Sequence, residues 1–424
     1  MNDSSEGILV IGAGGAGLIA AWRSALNGVP TTVLERNTKP GIKLLISGGG
    51  KCNITHAGPM EEVREAFLPR EARFLKPSFY RFSNLDVVRL LEDHGVKTYT
   101  RPNGRIFPLN GRAGDVVQAL VTAMKGAGAT LRPGARVESI ERGENGLTGV
   151  VVEGKFIPSR TVIVATGGIS YPRTGTTGDG LTWARALGHT IVPLRPALAP
   201  IGIDPPLPGE WRGIALRGGC LSVVVGGKPV ARWCDDVLIS HEGISGPAAL
   251  EVSRRAAEAL GQDRVSLVFD FLPQREFSVL DRELNERIQE QRGKMISTVL
   301  EGWLPNRLVD PLLRAAGVDP RTRGHVMTAA DRRTVVRLLK SWVIGRVAGI
   351  NVERGEVTAG GVKLDEVDPR SMRSRIVKGL YLCGELLDIA GPVGGYNLQA
   401  AFSTGFVAGE SAAAEHLLAH TPGL

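Results

Sequence analysis

Apolar residues Ile8 to Ile11 form a short unbroken run that stops at a glycine cluster, after which Leu18, Ala21, Trp22 and Ala25 recur at helical spacing. A short continuous run bounded by turn residues predicts a strand buried on both faces, and the spacing that follows predicts a helix packed on it. Thr31 to Leu34 supply a second strand, so the chain begins strand, turn, helix, strand. Similar runs return in "TVIVATGG" (161–168) and "GLYLC" (379–383), each bordered by glycine. Val116, Val117, Leu120, Val121 and Met124 mark one face of a helix, and a helix rich in alanine and glycine opens after Gly394-Gly395-Tyr396-Asn397. Short alternating segments between 214 and 240 predict strands, and residues 274–346 read mainly as helices. The proline-rich "PLRPALAPIGID" marks a domain boundary near Pro196.

The first glycine cluster carries chemistry. Gly12, Gly14 and Gly17 complete G-x-G-x-x-G between a strand and a helix, and Glu35 closes the second strand. In such a unit the first glycine permits the turn, the second admits a pyrophosphate, and the third lets helix and strand pack closely. Free N–H groups at the helix start face the phosphates, and the acid accepts hydrogen bonds from a ribose diol. The pattern predicts a dinucleotide site without choosing between FAD and NAD.

Length and composition narrow the class. At 424 residues the chain has room for two or three domains, and its 55 glycines with few aromatics suit a loop-rich α/β enzyme. A net charge of +8 permits an anionic partner without requiring one. Cys52, Cys220, Cys234 and Cys383 show neither metal-site spacing nor a disulfide framework, which favours a reducing, cytoplasmic setting. The polar "MNDSSEG" lacks signal-peptide features, and no apolar run reaches a membrane span.

Three further stretches build on the dinucleotide unit. "ATGG" ends the strand at 161–168 with Thr166, Gly167 and Gly168, as beside the FAD of two-dinucleotide-binding-domain flavoproteins. Gly384-Glu385 follows the strand at 379–383, with Glu385 placed for a ribityl chain, and the helix opening at Gly394 and Gly395 aims its N-terminus at a flavin. In "SGGGKCN" the glycines allow close backbone approach and positive φ. There Lys43 and Lys51 can offset pyrophosphate charge, while Ser47 and Asn53 can hydrogen-bond it or the ring. Cys52 has no partner cysteine five positions on, so disulfide exchange is not expected. A small buried residue beside the flavin or a proton donor are the two roles left to it.

"GIKLLISGGGKCNITH", "GRIFPLNGRAGDVVQAL", "ATGGISYPRTGTTGDG", "LISHEGISGPAALEVS", "VTAGGV" and "GELLDIAGPVGGYNLQAAFSTG" occur in this order, and in them the chain resembles the BaiN/RdsA family of NAD(P)/FAD-dependent oxidoreductases from about residue 7 to 414. The resemblance implies an α/β, Rossmann-like FAD-binding domain built from both chain ends (1–194 and 353–424). It also implies an inserted β-barrel-like domain (195–273, resumed at 331–352) carrying a small helical subdomain (274–330). The FAD set it implies adds Gly15, Ala16, Arg36, Gly48, Val137, Asn397, Leu398 and Gln399 to the residues above. Its activities include reduction of small conjugated molecules and synthesis of dihydrouridine in large-subunit ribosomal RNA. Lys51 stands where arginine is more usual in this family.

The expected reaction is hydride transfer from NADPH or NADH to the flavin and then to a polarised C=C bond, with the cofactor carrying the hard chemistry. No second G-x-G-x-x-G is visible, so the nicotinamide is expected to dock transiently. Uridine of ribosomal RNA would use the positive charge. The alternatives are a reductase or oxidase of a small conjugated or amine metabolite, and a non-catalytic flavin-binding redox sensor. No metal, membrane or stable protein partner is expected.

Tyr171, Arg105 and Cys52 are the candidate catalytic residues, and His241 a candidate acid. Asp179 is placed to cap the helix after Gly178. "REAFLPREARFLKPSFYRF" (64–82) interleaves basic and aromatic residues, which suits either a packed lid over the flavin or an RNA surface.

Overall fold

The computed structural model describes residues 7–261 and 264–420. The N-terminal segment read for targeting signals lies, apart from Gly7, outside the described residues. The chain divides into two compact units, residues 1–194 with 356–424, and residues 195–355.

In the first unit, β1 (Ile8–Ile11) leads through the glycine turn into α1 (Gly15–Leu26) and β2 (Thr31–Glu35). Next come α2 (Ile42–Gly50), α3 (Ala113–Gly126), β3 (Thr130–Pro133), β4 (Val162–Val164), β5 (Leu380–Leu382) and α4 (Tyr396–His420). The sheet has the order β5-β4-β1-β2-β3, with every neighbouring pair parallel. β1, β4 and β5 are buried throughout, as the unbroken apolar runs require of strands covered on both faces. The helical face read at Val116, Val117, Leu120, Val121 and Met124 is buried in α3.

The last helix packs on the first through glycine. A Cβ at Gly405 would stand 2.9 Å from the Ala16 Cα, and one at Gly409 the same distance from the Ala20 Cα. Glycines four apart on α4 therefore let it lie backbone to backbone on α1. Ser24 ties the two together, its hydroxyl donating to the Gly409 carbonyl.

A buried polar cluster stiffens the same unit. His189 Nδ1 lies 3.2 Å from Glu366 Oε2, and its Nε2 lies 2.8 Å from Ser374 Oγ. Ser374 Oγ accepts from the Ile376 and Val377 N–H groups, so it is a structural acceptor and no nucleophile. Burial holds His189 below its ordinary value of 6.5, against the pull of Glu366. Glu366 is itself held low, since hydrogen bonds from Thr190 and His189 outweigh the burial that would raise it. Both depressed groups bind protons more readily in the unfolded chain, so stability is full above pH 6.5 and is lost as pH falls toward the folded-state values. Thermal unfolding followed from pH 8 to 5 should show this fall beginning near 6.5, and His189→Gln should delay its onset. An identical acid onset in both proteins would refute the assignment.

The second unit holds an eight-stranded antiparallel sheet. Its order is Ala215–Leu216, Val237–Ile239, Gly243–Ser245, Ile201–Asp204, Trp342–Ile350, Val265–Asp270, Cys220–Val225, Lys228–Cys234. Helices Phe277–Glu290, Ile296–Val299, Asn306–Ala315 and Ala329–Lys340 bury leucines and valines in the same core. One sequence reading is corrected here. Cys220 and Cys234 are directly opposed in a hairpin and joined as a disulfide. Their separation of 14 residues carries no signal until the hairpin register aligns them. His241 is exposed and 3.2 Å from Glu242, a solvated surface position.

Candidate functional site

β1 ends at Gly12, whose φ of +100° suits glycine alone. A Cβ there would meet the Ala165 carbonyl oxygen at 2.7 Å, and one at Gly17 would collide with the Gly12 carbonyl. Gly14 is different: its backbone is extended (φ −81°, ψ −172°), and a Cβ would have no protein atom within 4 Å. Neither conformation nor packing inside the protein calls for glycine there, so the open space in front of it belongs to something else. α1 has no side-chain cap and no acid in its first turn, which leaves the N–H groups of Gly15, Ala16 and Gly17 without intrahelical acceptors. Together these features form an anion cradle of the kind that binds phosphate groups.

Glu35 is buried at the end of β2, its carboxylate accepting from Ala13 N–H at 2.7 Å and Asn37 N–H at 2.8 Å. Those bonds fix its orientation and leave lone pairs for a diol. Arg36 turns outward to Thr177 and to Asp179 Oδ2 at 3.0 Å. Asp179 is thus the first residue of its helix, with Gly178 as the cap. Val137 is buried where it opens its strand.

α2 breaks at Ser47, and Gly48, Gly49 and Gly50 follow with φ of +57°, +69° and +82°. The expected loop is therefore a left-handed glycine run at the end of a helix. It delivers Lys51 to the surface and Cys52 and Asn53 to the interior. Cys52 has φ +56° and no solvent exposure, and burial pushes its thiol up to about 11, so it is a neutral thiol. Asn53 Oδ1 is buried without a hydrogen-bond partner, and so is Thr166 Oγ1 at the end of β4. A buried polar atom left unpaired costs about 1–3 kcal/mol. Two such atoms on the glycine loop and the ATGG turn fit a polar ligand that pairs them. A dinucleotide such as FAD fits these donors, acceptors and free backbone faces.

The two chain ends meet at this place. Gly384, at φ +73°, brings the backbone so near Ala16 that a Cβ would sit 2.9 Å from the alanine methyl. Gly395, at φ +94°, presses against the backbone of Thr55. The Asn397 side chain pins residues 391–392 by accepting from Gly391 N–H and donating to the Gly391 and Pro392 carbonyls. Gln399 is fully buried, bonded to Thr55, Phe82 and Ser403. Asn397 and Gln399 thus shape the loop through protein contacts, while the N–H groups of Asn397 and Leu398 in the first turn of α4 have no intrahelical acceptor.

A charged network lies beside the ATGG turn. Lys43 Nζ is 2.6 Å from both Glu385 Oε2 and Ser170 Oγ. Glu385 Oε1 accepts from Ser170 Oγ at 2.8 Å and from Thr358 N–H at 2.9 Å. Thr358 Oγ1 in turn accepts from the N–H groups of Ile169 and Ser170. Lys43 and Glu385, read separately as pyrophosphate and ribityl contacts, therefore pair with each other.

Tyr171 follows at φ +51°, a strained conformation for a non-glycine residue, as the cap of the short 3-10 turn Pro172–Thr174. Burial, then the charge of Glu356, pushes its hydroxyl up from 10, which keeps it protonated. Protein crowding likewise raises Glu356 from 4.5 although the residue retains surface exposure, while Arg105 and Lys43 pull it back. Two of the three catalytic candidates, Tyr171 and Arg105, are thus electrostatic neighbours of one carboxyl. Sequence reading missed Glu356, Thr358 and Ser170; the quoted "VTAGGV" and "ATGGISYPRTGTTGDG" contain the last two. Cys52 is fully enclosed.

The segment 64–82 is not a row of stacking rings. Phe67, Phe74, Phe79 and Phe82 are buried, and only Tyr80 is open, at 55% exposure. Phe67 packs edge-on to Phe79 and Tyr396, which makes the segment a wall beside the 391–396 loop.

The profile of the family described as HI0933-like protein Rossmann domain matches residues 6–411. The chain is 30% identical over 409 residues to a ribosomal RNA dihydrouridine synthase of Haemophilus influenzae (96% of this chain, 98% of that one). A ribosomal RNA dihydrouridine synthase of Escherichia coli is 29% identical over 396 residues (93% and 95%). A 3-dehydro-bile acid delta(4,6)-reductase of Clostridium scindens is 28% identical over 409 residues (95% and 98%). Among solved structures, the 3-ketosteroid delta1-dehydrogenase of Sterolibacterium denitrificans shares the fold with a TM-score of 0.53 at 17% identity, over 97% of this chain and 99% of that one. No helix among the described residues is long and apolar enough to cross a membrane.

Proposed function

The chain belongs to the HI0933-like Rossmann-domain family, and from that premise we propose that it is an FAD-dependent reductase of a C=C bond conjugated to a carbonyl, with uridine of large-subunit ribosomal RNA as substrate. The observation that carries FAD is the open face of Gly14 beside the free N–H groups of α1, and the buried, unpaired Asn53 and Thr166 oxygens support it. Gly15, Ala16 and Gly17 would hold the pyrophosphate, Glu35 the ribose, and Asn53, Thr166 and the start of α4 the far end of the cofactor. FAD supplies, when bound, acceptance of hydride from NADPH or NADH and its donation to carbon.

The chain's own residues supply the rest. Reducing a C=C bond beside a carbonyl requires one proton on carbon and stabilises best with positive charge at the carbonyl oxygen. Tyr171, kept protonated, is the proton donor; Glu356 restores its proton, and Arg105 would supply the positive charge for the carbonyl oxygen. The resemblance to two dihydrouridine synthases over nearly the whole chain, with the net charge of +8, supports RNA as the substrate.

The test is anaerobic incubation of the purified protein with NADPH or NADH and unmodified large-subunit rRNA, followed by mass spectrometry of the digested RNA. A flavin-dependent rise in dihydrouridine is expected. Flavin reduction by nicotinamide without dihydrouridine would move the substrate to a small conjugated metabolite, the reading favoured by the 28% identity to a bile acid reductase. No reduction by either nicotinamide would overturn the reductase assignment.

A further inference from the structure

In the second unit, two loops far apart in sequence are stitched into one edge. Met295 and Arg323 form a β-bridge, Gly324 N–H donates to the Lys294 carbonyl at 3.0 Å, and Ile296 N–H donates to the Thr322 carbonyl at 2.8 Å. His325 Nδ1 lies 2.9 Å from the Arg292 carbonyl oxygen. This arrangement gathers Arg292, Lys294, Arg321 and Arg323, all exposed, on a backbone frame that holds them together.

None of these four cations has an ion-pair partner among the described residues. Arg292 bonds the neutral Gln289, and Asp319 spends one carboxylate oxygen on the Arg321 N–H. Three other cations of the same helical region are neutralised, Arg332 by Asp281 at 2.8 Å, Lys340 by Asp270 at 2.9 Å and Arg275 by Glu283 at 2.8 Å. The remaining unpaired ones lie on separate helices without the paired-loop frame. Met295 and Val326 stand among the free cations at 50% and 60% exposure. A fixed edge of uncompensated charge with apolar side chains between matches a polyanion that also offers flat apolar faces.

We propose that this paired-loop edge is an RNA-docking surface, its four cations contacting phosphates and Met295 and Val326 resting on ribose or base faces. The proposal rests on the reading of RNA as substrate. It assigns the grip on RNA to a surface outside the cofactor-binding residues, in place of the aromatic segment at 64–82.

The test compares the FAD-loaded full chain with the triple variant Arg292→Gln, Lys294→Gln, Arg323→Gln. The probe is in vitro transcribed large-subunit rRNA, titrated at several salt concentrations. Removing three phosphate contacts should weaken binding at least ~10-fold and flatten the slope of log affinity against log salt by roughly two. Dihydrouridine yield at limiting enzyme should fall in parallel, with flavin content, thermal midpoint and NADPH-driven reduction of a small quinone unchanged. Arg292→Lys with Arg323→Lys should retain binding, because phosphate recognition here is by charge. Wild-type affinity and salt slope in the triple variant would overturn the inference and leave the rRNA reading intact. A wild-type protein that neither binds rRNA nor forms dihydrouridine would overturn both, and an equal loss in the lysine variant would exclude a charge-based contact.

Discussion

Gly14→Val is expected to yield a folded apoprotein that no longer retains FAD. The backbone at Gly14 is extended, a conformation valine adopts readily, and its Cβ would project where no protein atom lies within 4 Å. The branched side chain then fills the space before the free N–H groups of α1, so a pyrophosphate is kept from them. Dissociation constants for FAD should rise at least ~100-fold, worth about 2.7 kcal/mol. The apoprotein's thermal midpoint should be unchanged, and the rise on adding FAD should vanish with the binding. Gly17→Ala is the contrasting control. Its Cβ would run into the Gly12 carbonyl, backbone that cannot swing aside, so destabilisation of ~3 kcal/mol or more is expected before any ligand is added. Undiminished FAD affinity in the valine variant would remove the cradle from the proposed site.

Tyr171→Phe should lower turnover by roughly 10²- to 10⁴-fold, the range for loss of a positioned proton donor, with flavin content and thermal midpoint retained. Burial holds the hydroxyl in its protonated form, which is the form a donor needs, and once Glu356 has given up its proton its charge acts in the same direction. The sign of the pH dependence follows from Glu356. Its carboxyl is raised, so it remains protonated to higher pH than an ordinary glutamate, and activity should decline as pH rises through that value. Glu356→Gln should remove that decline and lower turnover by less than Tyr171→Phe, since tyrosine still carries a proton. Turnover in Tyr171→Phe within about twofold of wild type would transfer the proton to another group.

The parallel strands and the glycine turn were legible because each rests on a local rule. Unbroken apolar runs belong to strands covered on both faces, and Gly12 and Gly17 answer contacts within a few residues or across one strand. Lys43 and Glu385 show where such reading stops. Each was a plausible cofactor contact alone; only the folded chain reveals that, 342 positions apart, they neutralise each other. Glu356 was invisible for the same reason, since its raised affinity for protons comes from packing and from residues distant in sequence. Rings recurring at helical spacing could serve as core or as a stacking surface, and burial of Phe67, Phe74, Phe79 and Phe82 decides for core. The disulfide depended on a hairpin register that composition does not encode.

The joining of the two chain ends at α1 bears on how the protein is made. During synthesis β1, α1, β2 and the glycine loop emerge well before β5 and α4. Until then the edge of β4 lacks its partner, and the alanine-rich face of α1 that receives Gly405 and Gly409 stays uncovered. The nascent first half must wait, with apolar surface open to water, while the whole of 195–355 is translated. The α1–α4 contact therefore forms only after 195–355 has been translated, and a chain truncated before α4 leaves that face of α1 uncovered.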